Sequence, residues 1–376
     1  MIKSKYSYLT IALLTSTLLT AKTHASIIDL SYNVDSFSDA KGLQALAGFQ
    51  EAANFWATTL TDDVTINIDI GFSALAVGIL GSANSSQAVF SYQDVALSLV
   101  NDATSTTDIS VTSSLSCDLS QPNDAASSGV CALQFLDQEG DTNSPGLDND
   151  GTIDNIALAL SQANAKALGF TEDSFGQAFT DSDGTITFSS NAAFDFDNTD
   201  GIDTDKIDFV GIAIHEIGHV LGFISGVDTY DVFYNSFDNL FDLDPFAISS
   251  ALDLFRCSEE SFALGSGILD WQPGSDAYFS IDGCVSEIAD FSTGEFGGDG
   301  YQASHFKDNL GLGILDPTLS PGEFGFVSIN DLIAFDAIGW DLLTTEDIPE
   351  PSSFALFILA ITGLFSSRRK NTRSEG

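Results

Sequence analysis

The stretch from Ile207 to Ser225 constrains this chain more than any other. Ile207, Phe209, Val210, Ile212, Ala213 and Ile214 are apolar in close succession, Asp205 and Asp208 stand where a helix N-cap belongs, and Gly222 stands where such a helix would end. A helix this apolar has to be buried, yet it carries His215, Glu216 and His219. Residues four apart lie one turn above each other, so both imidazoles can aim at one point with the carboxylate beside them. This H-E-x-x-H spacing suits Zn²⁺. Two neutral imidazoles bind, an open position holds water, and the glutamate takes that water's proton as it attacks a polarised carbonyl. The bland alternative is a pair of structural histidines on a core helix.

A third ligand has two candidates. Asp228 follows the helix closely, and a carboxylate is an acceptable zinc ligand. His305 requires the chain to return from far away, but it ends a glycine-punctuated run, Phe291 to His305, able to approach a site closely. The other histidine, His24, lies in a segment expected to be removed.

That segment is Met1 to Ala25. Lys3 and Lys5, the apolar run Leu9 to Leu19 and the small-residue end Thr23-His24-Ala25 read as a secretory signal peptide. Export implies an oxidising compartment, so Cys117, Cys131, Cys257 and Cys284 are expected to form two disulfides, proximity favouring 117 with 131 and 257 with 284. Acidic residues outnumber basic ones 54 to 12, for a net charge of −42. A phosphate backbone would be repelled, which argues against nucleic acid as a partner.

The remaining pattern indicates an α+β chain with a mixed sheet. Leu46, Phe49, Ala53, Trp56 and Leu60 mark a helix over 41–60, and Val64, Ile66, Ile68 and Ile70 alternate as a half-buried strand. A helix is expected over 155–168, ended by Gly169. A turn at Asp183-Gly184 leads into a strand over 185–189, placed to run along the cleft, and a short helix spans 330–338. Two acidic stretches, Asp148 to Asp154 and Asp195 to Asp203, offer hard oxygen ligands around a glycine, so Ca²⁺ is a second candidate ion. The later stretch is the better candidate, and ordinary Asx turns are the alternative for both.

At the C-terminus, Pro349-Glu350-Pro351, the apolar run Phe354 to Phe365 and Arg368-Arg369-Lys370 follow in order. This resembles the PEP-CTERM sorting signal. The resemblance implies transient inner-membrane anchoring, processing by an exosortase-type enzyme, and delivery to the cell surface or beyond. The body of the chain, roughly Ala40 to Thr345, resembles metzincin zinc metalloproteases, and most of all the leishmanolysin-like branch. In the compact metzincin pattern the third ligand would fall on Ser225, a poor zinc ligand; in the leishmanolysin-like pattern it comes much later and matches His305. The family's Met-turn would fall near Leu315, where this chain has no methionine.

With the signal peptide at 1–25, the resemblance implies a protease domain at 26–345. Within that domain, an N-terminal subdomain of about 26–224 holds a twisted mixed sheet and the zinc helix, and an irregular C-terminal subdomain covers about 225–345. A sorting segment occupies 346–376. The expected function is an exported zinc endopeptidase acting on protein or peptide substrates, with Glu216 as the base and His215, His219 and His305 as ligands. The competing class is a non-catalytic, calcium-binding surface or matrix protein with a structural zinc site.

Overall fold

The alternation over Val64 to Ile70 becomes the second strand of a four-stranded mixed sheet. In chain order the regular elements are β1 (Ile27–Tyr32), α1 (Ala40–Thr59), β2 (Thr65–Ser73), β3 (Gly81–Ser85), β4 (Gln87–Ser91), α2 (Tyr92–Asp102), α3 (Thr106–Ser114), β5 (Phe135–Asp137) and β6 (Gly146–Asp148). They continue as α4 (Ile153–Ile156), β7 (Ala157–Ser161), α5 (Gln162–Ala167), β8 (Gly184–Ser189), α6 (Phe209–Leu221), α7 (Val227–Phe237), α8 (Glu259–Leu264) and α9 (Ile329–Ala337), with short extended pairs between them. The computed structural model describes residues 25–76, 79–117, 119, 131–137, 146–237 and 243–343. The signal-peptide residues before Ala25 and the C-terminal sorting segment lie outside the described residues. Among the described residues no helix is long and apolar enough to cross a membrane.

The main sheet has the order β1-β2-β8-β3. β1, β2 and β8 run parallel, and β3 pairs antiparallel with β8 to form one edge. Ile66, Ile68, Ile70 and Phe72 of β2 face inward with period two. Two helices cover that face. In α1, Asp39 caps the first turn through Gly42 N, and Ala45, Phe49, Ala52, Ala53 and Trp56 form the buried stripe. In α6, Asp208 caps Gly211 N, and Gly222, in the left-handed region at φ 120°, ends the helix.

An aromatic cluster locks these layers together. Phe209 lies 5.2 Å from Phe49 and 5.1 Å from Phe188, and Phe49 stacks on Phe188 at 5.0 Å. Two glycines permit the close approach: a Cβ on Gly48 would collide with the Phe209 ring, and one on Gly184 would lie 2.6 Å from Val220 Cγ2.

Two expectations need correction. The helix expected over 155–168 is instead α4, β7 and α5, with β7 pairing antiparallel with β4 from Ala157↔Ser91 to Ser161↔Gln87. β7 is buried along its whole length, so it shows no alternation and its Ala-Leu run imitates a helix. Gly169 does follow the helical turn, at φ 82°. Strand 184–189 forms, but in the sheet interior; the strand at the edge is β3.

After α6 the chain is largely irregular, with three-stranded pairing of Arg256–Cys257, Tyr278–Phe279 and Ala289–Asp290. Its core is aromatic: Phe291 stacks on Phe306 at 5.6 Å, and Phe223 meets Phe306 at 5.1 Å. Both disulfides form as expected, Cys117 with Cys131 and Cys257 with Cys284.

Candidate metal centre

On α6 the helix back is buried through Phe209, Ala213, Ile217, Val220 and Leu221, while His215, Glu216 and His219 fall on the half-buried side. The helix is pinned from two directions. Trp56 Nε1 donates to Ile214 O at 2.9 Å, and Ser85 Oγ, from edge strand β3, donates to His219 O at 2.9 Å. Neither contact has a sequence signal beyond the aromatic stripe that contains Trp56.

The Nε2 atoms of the three body histidines converge. His219 Nε2 lies 3.0 Å from His215 Nε2 and 3.1 Å from His305 Nε2, and the third side of the triangle is 3.2 Å. Every Nδ1 faces a backbone carbonyl: His215 that of Ile314 at 2.7 Å, His219 that of Phe223 at 2.7 Å, and His305 that of Gln302 at 3.2 Å. A carbonyl only accepts, so each Nδ1 carries the proton and each Nε2 is left with a bare lone pair. Burial keeps the rings neutral. It pushes His215 down to about 3, with His219 adding repulsion, and it lowers His219 and His305 as well.

Three bare nitrogens this close cannot hydrogen-bond to one another, and together they could hold a shared cation. The dimensions suit one. Tetrahedral zinc with Zn–N near 2.0–2.1 Å spaces its nitrogens roughly 3.3 Å apart. Carbonyls on the distal nitrogens are the usual way such rings are oriented toward a metal.

His305 therefore meets the other two histidines, and Asp228 does not join them. Asp228 instead braces the third ring's backbone: its Oδ1 accepts from Ala303 N at 2.5 Å. Burial raises its carboxyl to about 6, against hydrogen bonds from Ser304 and Ala303 and the nearby Arg256 charge, which lower it. Arg256 itself is fully buried, donates to Ser292 O at 2.9 Å and Ala303 O at 3.3 Å, and lies over the Phe291 ring at 5.1 Å. Asp231 accepts from Phe296 N and Gly297 N. Buried charge, rather than secondary structure, thus holds the loop that carries His305.

The turn Gly313 to Pro317 sits against the same helix. Leu315 is fully buried, and a Cβ added at Gly218 of α6 would lie 3.4 Å from its Cδ1. Asp331, at the third helical position of α9, accepts from Ile314 N and Leu315 N and so fixes the carbonyl that orients His215. The Ser328–Asp331 capping box is visible in sequence as S-x-x-D. Its grip on a turn far back in the chain is not.

Beside the triad opens a cleft of about 520 Å³. His215 and Glu216 form its floor with Gly211 and Ile212; Ile79 to Gly81, at the start of the edge strand, form one wall. The other wall runs from Ile314 to Leu319 and Phe324 to Phe326, with Asp308, Asp316 and Glu323 also lining it. Asp208 ties this wall to the helix start, since its Oδ2 accepts from Gly325 N. Burial raises the Glu216 carboxyl to about 7.

A family model described as SPBPB7E8-like matches residues 147–258. The chain is similar to that family over less than half its length, in a span that includes α6 but stops before His305. No curated protein and no solved structure matches.

The two acidic stretches behave differently. In the later one Asp195 accepts from Asp197 N and Asp203 N, and Asp197 caps Thr199, so the loop's own backbone takes up these carboxylates as Asx turns. The earlier stretch contributes Asp148 and Asp154 to a group with Asp244.

Proposed function

We propose that the protein is an exported zinc-dependent endopeptidase with metzincin-like architecture, in which His215, His219 and His305 hold the metal and Glu216 is the base. The observation that carries the reading is the triangle of bare Nε2 atoms with Glu216 beside it in an open cleft. Zinc bound there would supply a water of lowered pKa and a Lewis acid for a carbonyl oxygen. Glu216 would accept a proton from a nucleophilic water on the cleft side and return it to the leaving amine.

The cleft supports a peptide substrate. An edge strand, β3, flanks it, and extended chains dock by pairing with such edges. Phe324 and Phe326, half exposed on the opposite wall, offer apolar contacts for a side chain next to the scissile bond. Export through Met1 to Ala25, PEP-CTERM sorting through Pro349 to Lys370, and transient inner-membrane anchoring belong to the same proposal. The non-catalytic reading gives Glu216 no task, since a structural metal needs no acid in an open cleft.

Protein-gel zymography and zinc analysis of the mature chain test the reading together. Glu216→Gln should keep about one zinc per chain and lose hydrolysis by roughly 10²–10⁴-fold, the range expected of a general base. Hydrolysis close to wild type in that variant would refute the mechanism.

A further inference from the structure

A second cluster has the chemistry of a cation site and no part in the histidine centre. Asp148 at the end of β6, Asp154 in α4 and Asp244 beyond α7 each bring one carboxylate oxygen within 4.8 Å of the other two. Asp154 is 1 % exposed, and its Oδ2 is buried without a hydrogen-bond partner. An orphaned carboxylate oxygen facing two further carboxylates is costly unless something positive sits between them. Among the described residues, the lysines and the arginine are engaged elsewhere. Lys41 is bound to Ser190 O and Ala192 O, Lys166 to Asp183, Lys206 to Asp203, Lys307 to Asp276, and Arg256 to Ser292 O and Ala303 O.

We propose that Asp148, Asp154 and Asp244 bind one Ca²⁺ ion, which staples the 148–154 loop to the chain returning from α7. The donor set fits this ion: Ca²⁺ takes about six to eight hard oxygen ligands from several carboxylates in flexible geometry, whereas Mg²⁺ keeps most of its water and uses one or two carboxylates. Backbone already joins the two segments, since Ile153 N donates to Asp244 O at 3.0 Å. The Thr152 hydroxyl lies 2.8 Å from Asp154 Oδ1, and Asn155 Nδ2 lies 3.1 Å from Asp148 Oδ1, so the outer oxygens are oriented. Beyond Asp244 the chain reaches Ser249, whose carbonyl accepts from Ala159 N, and Ser250, which donates to Ile224 O just past α6. The ion would brace that return.

The test uses the mature chain with one zinc equivalent supplied throughout and calcium removed from the buffers. Adding Ca²⁺ to about 10 mM should raise Tm by roughly 5 °C, and Mg²⁺ should do much less. Without calcium, Asp154→Asn should melt at or above wild type, because it removes an uncompensated charge; with calcium, the order should reverse. Calorimetric titration should show one fewer calcium bound by Asp244→Asn than by wild type, while Asp200→Asn in the other acidic stretch keeps the full response. The proposal is overturned by an unresponsive wild type, by an equal response to Mg²⁺, or by an undiminished calcium response in both Asp154→Asn and Asp244→Asn.

Discussion

The histidine centre is assembled by two regions that use opposite physics. His215 and His219 stand on α6, a regular helix sealed from behind by Phe49, Phe188 and Phe209 and placed by a sheet whose pattern is local. His305 arrives on an irregular run whose backbone is held by the buried groups Arg256, Asp228 and Asp231. Apolar packing degrades gradually when trimmed, whereas a buried charge network fails abruptly when one member leaves. The first region should therefore tolerate substitution and the second should not.

The largest expected effect is on the metal itself. If the triad holds zinc, His305→Ala should weaken zinc binding at least ~10³-fold, whereas Asp228→Ala, which removes a brace on the Ala303 backbone and no ring partner, should weaken it far less. A competitive zinc titration ranks the two. The reverse order would make Asp228 the ligand and erase the division between the regions.

Next comes Arg256. Arg256→Met should cost about 3–5 kcal/mol in urea unfolding, because Asp228, Asp253 and Asp270 would lose the cation among them. It should also lower zinc affinity, since Ala303 O and Ser292 O lose their donor. Ile66→Val on the fully buried face of β2 should cost about 1 kcal/mol and leave zinc binding unchanged. Equal costs would show that charge and packing share the work more evenly than the structure implies.

The same division explains what was legible in the sequence. Leu46, Phe49, Ala53, Trp56 and Leu60 mark α1, and the isoleucines of β2 mark a strand, because each element is half buried and its period survives in the residues. β7 reads as helix in the sequence because Ala157 to Ser161 is buried on both faces and only its pairing with β4 shows it to be a strand. The histidines of α6 could be paired by spacing alone. His305 could be nominated by scarcity and by its glycine-rich surroundings, but not placed. The contacts that orient the rings come from Ile314, Phe223 and Gln302 carbonyls, and a carbonyl has no residue identity to read. Local composition favours the later acidic stretch, whereas the cluster that forms borrows Asp244 from a distant segment.

The smallest expected effect lies at the seam where the end of the irregular region returns to the first. Leu342 bridges Leu60, Thr61 N donates to Asp341 O, and Asp341 N donates to Asp62 Oδ2. Asp62, Asp102 and Asp336 crowd together there with Asp341. Burial first, and then like charge, raises Asp62 to about 8, Asp102 to about 7 and Asp336 to about 6. All three are raised above their unfolded values, so folding favours their protonated forms. The stability they contribute is fully present below about pH 4 and is lost as pH climbs through 6 to 8. Asn mimics a protonated carboxyl and still offers an oxygen to Asp341 N. Asp62→Asn should therefore match wild type at acidic pH, exceed it modestly above pH 8, and flatten the fall of the urea midpoint between them. Parallel midpoint curves for the two proteins would mean that Asp62 ionises freely, and that the seam is held by apolar contact at Leu60 and Leu342 as the first region is, not by shared protons.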